Sequence, residues 1–102
     1  MGATYLCDVI VGDDFIMSSK RFLEHILVKV PGDLGLTPHN DKIFLEPFNV
    51  SNSEEIAYSG IIFLGESHFG IHEWPEKRYV RVELSSCKKI NTSKLKKLIK
   101  EL

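Results

Sequence analysis

The period of the hydrophobic positions changes several times along the chain, and each change marks an element. Thr4 to Val11 is rich in β-formers and runs into Gly12-Asp13-Asp14, which predicts a strand ending in a turn. Ser18 or Ser19 can then cap a helix whose apolar residues Phe22, Leu23, Ile26 and Leu27 recur at the three-and-four spacing of one buried face. Pro31-Gly32 is expected to stop it, and the aperiodic stretch 32–41, with its glycines and proline, reads as a connection. Lys42 to Phe48 fits a short strand, and Asn49 to Glu55, dominated by Ser, Asn and Glu, an exposed loop. Ala57 to Leu64 and Phe69 to His72 read as further strands. Arg78 to Leu84 sets Val80, Val82 and Leu84 against Arg81 and Glu83, the alternation of a half-buried strand. After possible caps in Asn91-Thr92-Ser93, Leu95, Leu98, Ile99 and Leu102 fall at i, i+3, i+4 and i+7 of an amphipathic helix.

The resulting order, β-α-β-β-β-β-α with tight links late in the chain, predicts an α+β two-layer sandwich: an antiparallel sheet with both helices on one face. Its 102 residues suffice for one hydrophobic core and not for two, so residues 1–102 are expected to form a single domain.

Composition narrows the function classes. Hydrophobic residues at 43% and charged residues at 26% describe an ordinary globular chain. With 13 Lys and Arg against 14 Asp and Glu there is no electrostatic case for nucleic acid or an anionic membrane as partner. The one basic run, Lys88-Lys89 with Lys94, Lys96, Lys97 and Lys100, reads as a solvated helix face. Apolar runs such as Ile61 to Leu64 fall far short of the roughly 20 residues a membrane span needs, and the N-terminus lacks a signal pattern. A cytoplasmic protein is expected. The two cysteines, Cys7 and Cys87, fit neither a disulfide framework nor a zinc pattern, and Cys7 among Tyr5, Leu6 and Val9 reads as a small core residue.

Reactive side chains crowd the second half: Ser59, Glu66, Ser67, His68, His72, Glu73, Glu76 and Cys87. His68 and His72 have the spacing of a helical zinc pair, but on a strand they would stand about 13 Å apart, so no metal is expected. A hydrolase triad lacks its nucleophile elbow.

The run Glu66-Ser67-His68-Phe69-Gly70-Ile71-His72-Glu73-Trp74-Pro75-Glu76 resembles the processing motif of prokaryotic S-adenosylmethionine decarboxylases, commonly Glu-Ser-His-Leu-Thr-Ile-His-Thr-Trp-Pro-Glu. Ser59-Gly60 stands where that family has a Ser-Gly pair, and Ser85-Ser86-Cys87 where it has Thr-Cys-Gly. Gly2 to Leu6 can be laid on the family's opening strand. The likeness covers nearly the whole chain and is specific between Ser59 and Cys87.

The resemblance implies self-cleavage between Glu66 and Ser67. The Ser67 hydroxyl would attack the preceding carbonyl, and β-elimination would release residues 1–66 and leave a pyruvoyl group on residue 67. That ketone would take the substrate amine as a Schiff base and act as electron sink for loss of carbon dioxide, with no external cofactor. By the same analogy His72 is the base in the elimination, Ser59 assists its proton traffic, Cys87 protonates the carbanion, Glu76 receives the ribose hydroxyls and Phe48 stacks on adenine. A homodimer of processed protomers, supplying aminopropyl groups for spermidine synthesis, is the implied setting. Arginine or ornithine as substrate, or a regulatory homologue that never cleaves, are the alternatives. Ser67 and His72 lie five positions apart, so an unbroken strand would point them to opposite faces, and a bend or bulge near Gly70 is expected to bring them together.

Overall fold

A computed structural model describes residues 3–50, 55–65 and 67–102, with side chains at all of these but 40 and 41. The elements are β1 (Ala3–Ile10), α1 (Lys20–Asp33), β2 (Pro38–Asn49), β3 (Ile56–Leu64), β4 (Ser67–Trp74), a short 3-10 turn (Pro75–Lys77), β5 (Tyr79–Ser86) and α2 (Thr92–Lys100). The expected order holds. The strands form one antiparallel sheet in the spatial order β1-β5-β4-β3-β2. Both helices cover the same face, α1 lying over β2, β3 and β4 and α2 over β1, so the architecture is the expected two-layer sandwich.

Strand alternation decides which side chains meet the helices. Ile62 and Leu64 of β3, Phe69 and Ile71 of β4, and Val80, Val82 and Leu84 of β5 are buried beneath Leu23, Ile26, Leu27 and Val30 of α1 and Leu95 and Ile99 of α2. Cys7 is half-buried against this core. Burial raises its thiol above the ordinary range, an effect that Lys96 partly offsets.

The helix ends show which local signals governed. Ser19 is the N-cap of α1, its hydroxyl accepting from the Phe22 N–H, and Asn91 does the same for α2 through Lys94. Pro31-Gly32 does not stop α1. Pro31 sits in the last turn, the helix runs on to Asp33, and just past its Leu34 cap comes Gly35, whose φ of 81° suits a residue without Cβ. There the Gly35 N–H donates to the Gly32 carbonyl and the Leu36 N–H to that of Pro31, closing a Schellman motif. β2 is also longer than Lys42 to Phe48, because the ladder resumes at Pro38 opposite Leu64 after an irregularity. Of the expected polar loop, residues 51–54 lie outside the described residues.

Gly60 has a packing reason. A Cβ there would come within 2.4 Å of Leu45 Cδ2 and 3.0 Å of Leu27 Cδ1. We expect Gly60→Ala to cost about 1–3 kcal/mol, because two core leucines must leave their rotamers. Thermal unfolding measures it, and an unchanged midpoint would mean that the leucines yield freely.

Candidate active site

The face of the sheet turned away from the helices carries Ser59, His68 and His72. Register places its side chains in rows. One row runs Glu46, Ser59, His72, Arg81, Asp8 across all five strands, and the next runs Phe44, Ile61, Gly70, Glu83, Leu6. Among them stand large apolar side chains with no cover: Leu6, Ile10, Phe44, Phe48 and Phe63 are each 45–65% exposed.

Ser59 and His72 are direct cross-strand partners, and Ser59 Oγ lies 2.6 Å from His72 Nδ1. A hydroxyl this close to an imidazole can pass a proton to it or take one back. Two residues further along each strand the pairing has ended, since the β3-β4 register stops at Ser59 and His72. Where the strands part, a cleft of about 410 Å³ opens, lined by Phe48, Ala57, Ser59, His72, Trp74 and Glu76 among others. The structure therefore brings together four of the residues to which the resemblance assigns a role, Phe48, Ser59, His72 and Glu76.

Glu73 holds that parting in place. It is 3% exposed, and its carboxylate accepts from the Tyr58 N–H at 3.0 Å and from the Ser18 N–H at 3.3 Å. In register Tyr58 would face Glu73, so the side chain stands in for a ladder hydrogen bond that β4 no longer supplies. Burial raises the Glu73 carboxyl above the usual range, the two N–H groups pull it back, and nearby Glu55 adds to the rise. A carboxyl raised on folding binds protons more tightly in the native state, so stability falls as pH climbs from the ordinary value of 4.5 toward the raised one. The parent should lose thermal midpoint across that window by about 5 °C or less, and Glu73→Gln should flatten the loss. Parallel pH profiles for both proteins would refute this.

Arg81, next to His72 in its row, is committed elsewhere. Its Nε and Nη2 donate to the Asp8 carboxylate at 2.7 and 3.1 Å, which holds Asp8 below and Arg81 above its ordinary range. At the corner beyond Glu76, Arg78 has a φ of 52° and donates to the carbonyls of Phe15 and Gly12, pinning the β1-α1 connection against the Pro75–Lys77 turn. That fixes the segment carrying Glu76.

Ser67 stands apart from this cleft. It is half-buried at the first position of β4, opposite Ser86, and its side chain shares the helix-side row of Phe69 and Ile71. The bend or bulge expected near Gly70 does not exist: β4 pairs without interruption with β5 from Ser67 to Trp74, so Ser67 and His72 point to opposite faces. The reason is that β4 is an inner strand, hydrogen-bonded on both sides, where a bulge would disrupt two ladders at once. Cys87 follows Ser86 immediately and is exposed, which puts a thiol one residue beyond the partner of Ser67. Glu66 lies outside the described residues. No group of three or more His, Cys, Asp or Glu side chains among the described residues could hold a metal ion.

Two contributors had no role in the sequence reading. Trp74 is one, its ring tilted against Tyr79 with centroids 4.9 Å apart at the wall of the cleft. An aromatic residue at a strand end just before a Pro-Glu turn was the available signal. Glu73 is the other; a carboxylate flanked by His72 and Trp74 carried no mark that it would be buried.

An antiparallel sheet with two helices on one face and a polar row on the other defines a two-layer α+β protein. The adenosylmethionine decarboxylase of Aquifex aeolicus matches 92% of this chain and 70% of its own with a TM-score of 0.62 at 25% identity. The family model described as S-adenosylmethionine decarboxylase matches residues 3–102, and the chain belongs to that family. Relatives named S-adenosylmethionine decarboxylase proenzyme include that of Thermococcus kodakarensis, 34% identical over 56% of this chain and 47% of its own length. That of Clostridium tetani is 26% identical over 85% of this chain and 64% of its own. The chain thus spans less than two thirds of the length of these relatives.

Proposed function

We propose that this chain is a self-processing S-adenosylmethionine decarboxylase that cuts itself between Glu66 and Ser67 and supplies aminopropyl groups for spermidine synthesis. The observation that carries the reading is the cleft where β3 and β4 part: a Ser59-His72 proton pair, a carboxylate in Glu76 and aromatic walls in Phe48 and Trp74, in a chain of this family.

The residues present fit a pyruvoyl group at position 67. Ser67 begins β4, so a chain end there interrupts neither ladder of the strand. Such a ketone supplies an electron sink for the carboxylate's departing carbon dioxide. The chain's own groups divide the rest of the work. His72, oriented by Ser59, moves a proton in the elimination step, and the exposed Cys87 thiol beside Ser86 returns one to the substrate carbon. Glu76 accepts the two ribose hydroxyls, and Phe48 and Trp74 offer faces for the adenine and for the sulfonium charge.

The five uncovered apolar residues on the sheet face are the kind of surface a second protomer would bury, and a homodimer with its sites at that face is part of the proposal. No helix among the described residues is long and apolar enough to cross a membrane, and a cytoplasmic location is proposed with the rest. The deciding test has two parts. Mass spectrometry should find two chains, 1–66 and 67–102, the smaller bearing a pyruvoyl end. Labelled carbon dioxide should be released from S-adenosylmethionine and not from arginine or ornithine. An uncut chain defeats the reading; release from a free amino acid corrects the substrate and keeps the chemistry.

A further inference from the structure

Self-cleavage needs two different proton transfers, and the structure separates them. The first removes the proton of the Ser67 hydroxyl as it attacks the carbonyl carbon of residue 66. The second removes the Ser67 Cα proton so that the ester can eliminate. His72 lies five residues along an uninterrupted strand from Ser67 as well as on the opposite face, so His72 is badly placed to take the hydroxyl proton.

A different imidazole meets Ser67. His68 Nδ1 lies 3.3 Å from Ser67 Oγ, and on its other side His68 Nε2 lies 3.7 Å from Glu83 Oε1. Glu83 reaches that point because register sets it opposite Gly70, two residues along β4 from His68 on the same face. With no side chain at Gly70, the space between His68 and His72 is open, and the groove there is lined by His68, Gly70, His72 and Glu83. Nucleophile, imidazole and carboxylate thus lie in sequence, the arrangement in which an acid orients a base and stabilises its protonated form.

We propose that His68, supported by Glu83, is the catalytic base of the first step of self-cleavage. This rests on the processing reaction proposed above and assigns one of its two proton transfers. His68 carries its hydrogen on Nε2, toward Glu83, and takes the Ser67 hydroxyl proton on Nδ1 as Oγ bonds to the carbonyl carbon of residue 66. The tetrahedral adduct then collapses: the bond from that carbon to the Ser67 nitrogen breaks, and His68 returns the proton to the departing amine. One C–O bond forms, one C–N bond breaks and no redox change occurs. His72 acts only afterwards, on the ester.

Hydroxylamine separates the steps, because it cleaves an ester at this bond whether or not elimination follows. Cell-free synthesis with labelled methionine gives the unprocessed chain, and both methionines, Met1 and Met17, lie in 1–66. In hydroxylamine, the parent and His72→Ala should both release labelled 1–66. His68→Gln should release it roughly 100-fold or more slowly, the usual worth of a positioned base. Glu83→Gln, a change at a side chain 44% exposed that leaves the fold intact, should slow it about 10-fold. If His68→Gln does not fold, as circular dichroism would reveal, Glu83→Gln decides. Release at the parent rate from both variants overturns the proposal while the parent's cleavage upholds the processing reaction. A parent that yields neither ester nor fragments overturns both.

Discussion

Ser67→Ala is expected to remain one chain of 102 residues under conditions in which the parent becomes two. The expectation follows from where the oxygen sits. Attack on the preceding carbonyl requires a nucleophile on the β-carbon of residue 67, and alanine has none. The Ser86 hydroxyl, directly opposite, does not substitute, because it is buried and its oxygen accepts from the Lys88 N–H. The loss should therefore be complete, with no residual turnover of S-adenosylmethionine. The variant should match the uncleaved parent in stability to within about 0.5 kcal/mol, since Ser67 is only half-buried at a strand end. Electrophoresis under denaturing conditions separates the outcomes, and a Ser67→Ala protein that still divides at this bond would transfer the nucleophile to another residue.

The second large effect divides cleavage from turnover. Cys87→Ala should process at the parent's rate yet lose roughly 100- to 10,000-fold in kcat, the range for removing a positioned proton donor. KM should change little, because in the proposed mechanism the thiol acts only after carbon dioxide has left. His72→Ala should instead stall before separation of the two chains. Its imidazole is exposed and its main partner, Ser59 Oγ, remains solvated, so failure to fold does not account for the stall. Measuring chain division and carbon dioxide release on the same preparations reads both. A Cys87→Ala chain that stays whole beside a His72→Ala chain that divides would exchange the two roles.

Element order, the two helix faces and the pairing of strands late in the chain were legible because each depends on local period and short links. Val80, Val82 and Leu84 alternate with Arg81 and Glu83 in the sequence, and they are buried in the structure just as that alternation requires. Helix ends were read less well. Pro31 resembles a stop when the sequence is read forward, but within the last turn its missing N–H removes a single bond, and the turn ends where Gly35 accepts a positive φ.

The site was legible as a set of residues and not as a set of directions. Motif spacing named Ser59, Ser67, His72, Glu76 and Cys87, whereas the face each presents depends on whether β4 is continuous. An inner strand bonded on both sides has no freedom to turn His72 toward Ser67. Glu73 was illegible for a different reason: its burial depends on Ser18, 55 positions away, and on the point at which two strands separate. The same holds for His68 and Glu83, whose proximity is a property of register.

Sheet order has a consequence for what cleavage would do to the molecule. Residues 1–66 contain β1, α1, β2 and β3, and residues 67–102 contain β4, β5 and α2. In space β4 and β5 lie between β1 on one side and β3 on the other. Cutting after residue 66 would leave the smaller fragment gripped along two ladders and beneath α1, so division of the chain is not dissociation. It does change the molecularity of folding. Before the cut, reassembly after unfolding is a first-order event; afterwards two pieces must find one another, at a rate that depends on concentration, and the piece with β4 and β5 has lost the partners on both of its edges. The cleaved protein would then persist by the slowness of its unfolding, having given up the easy route back.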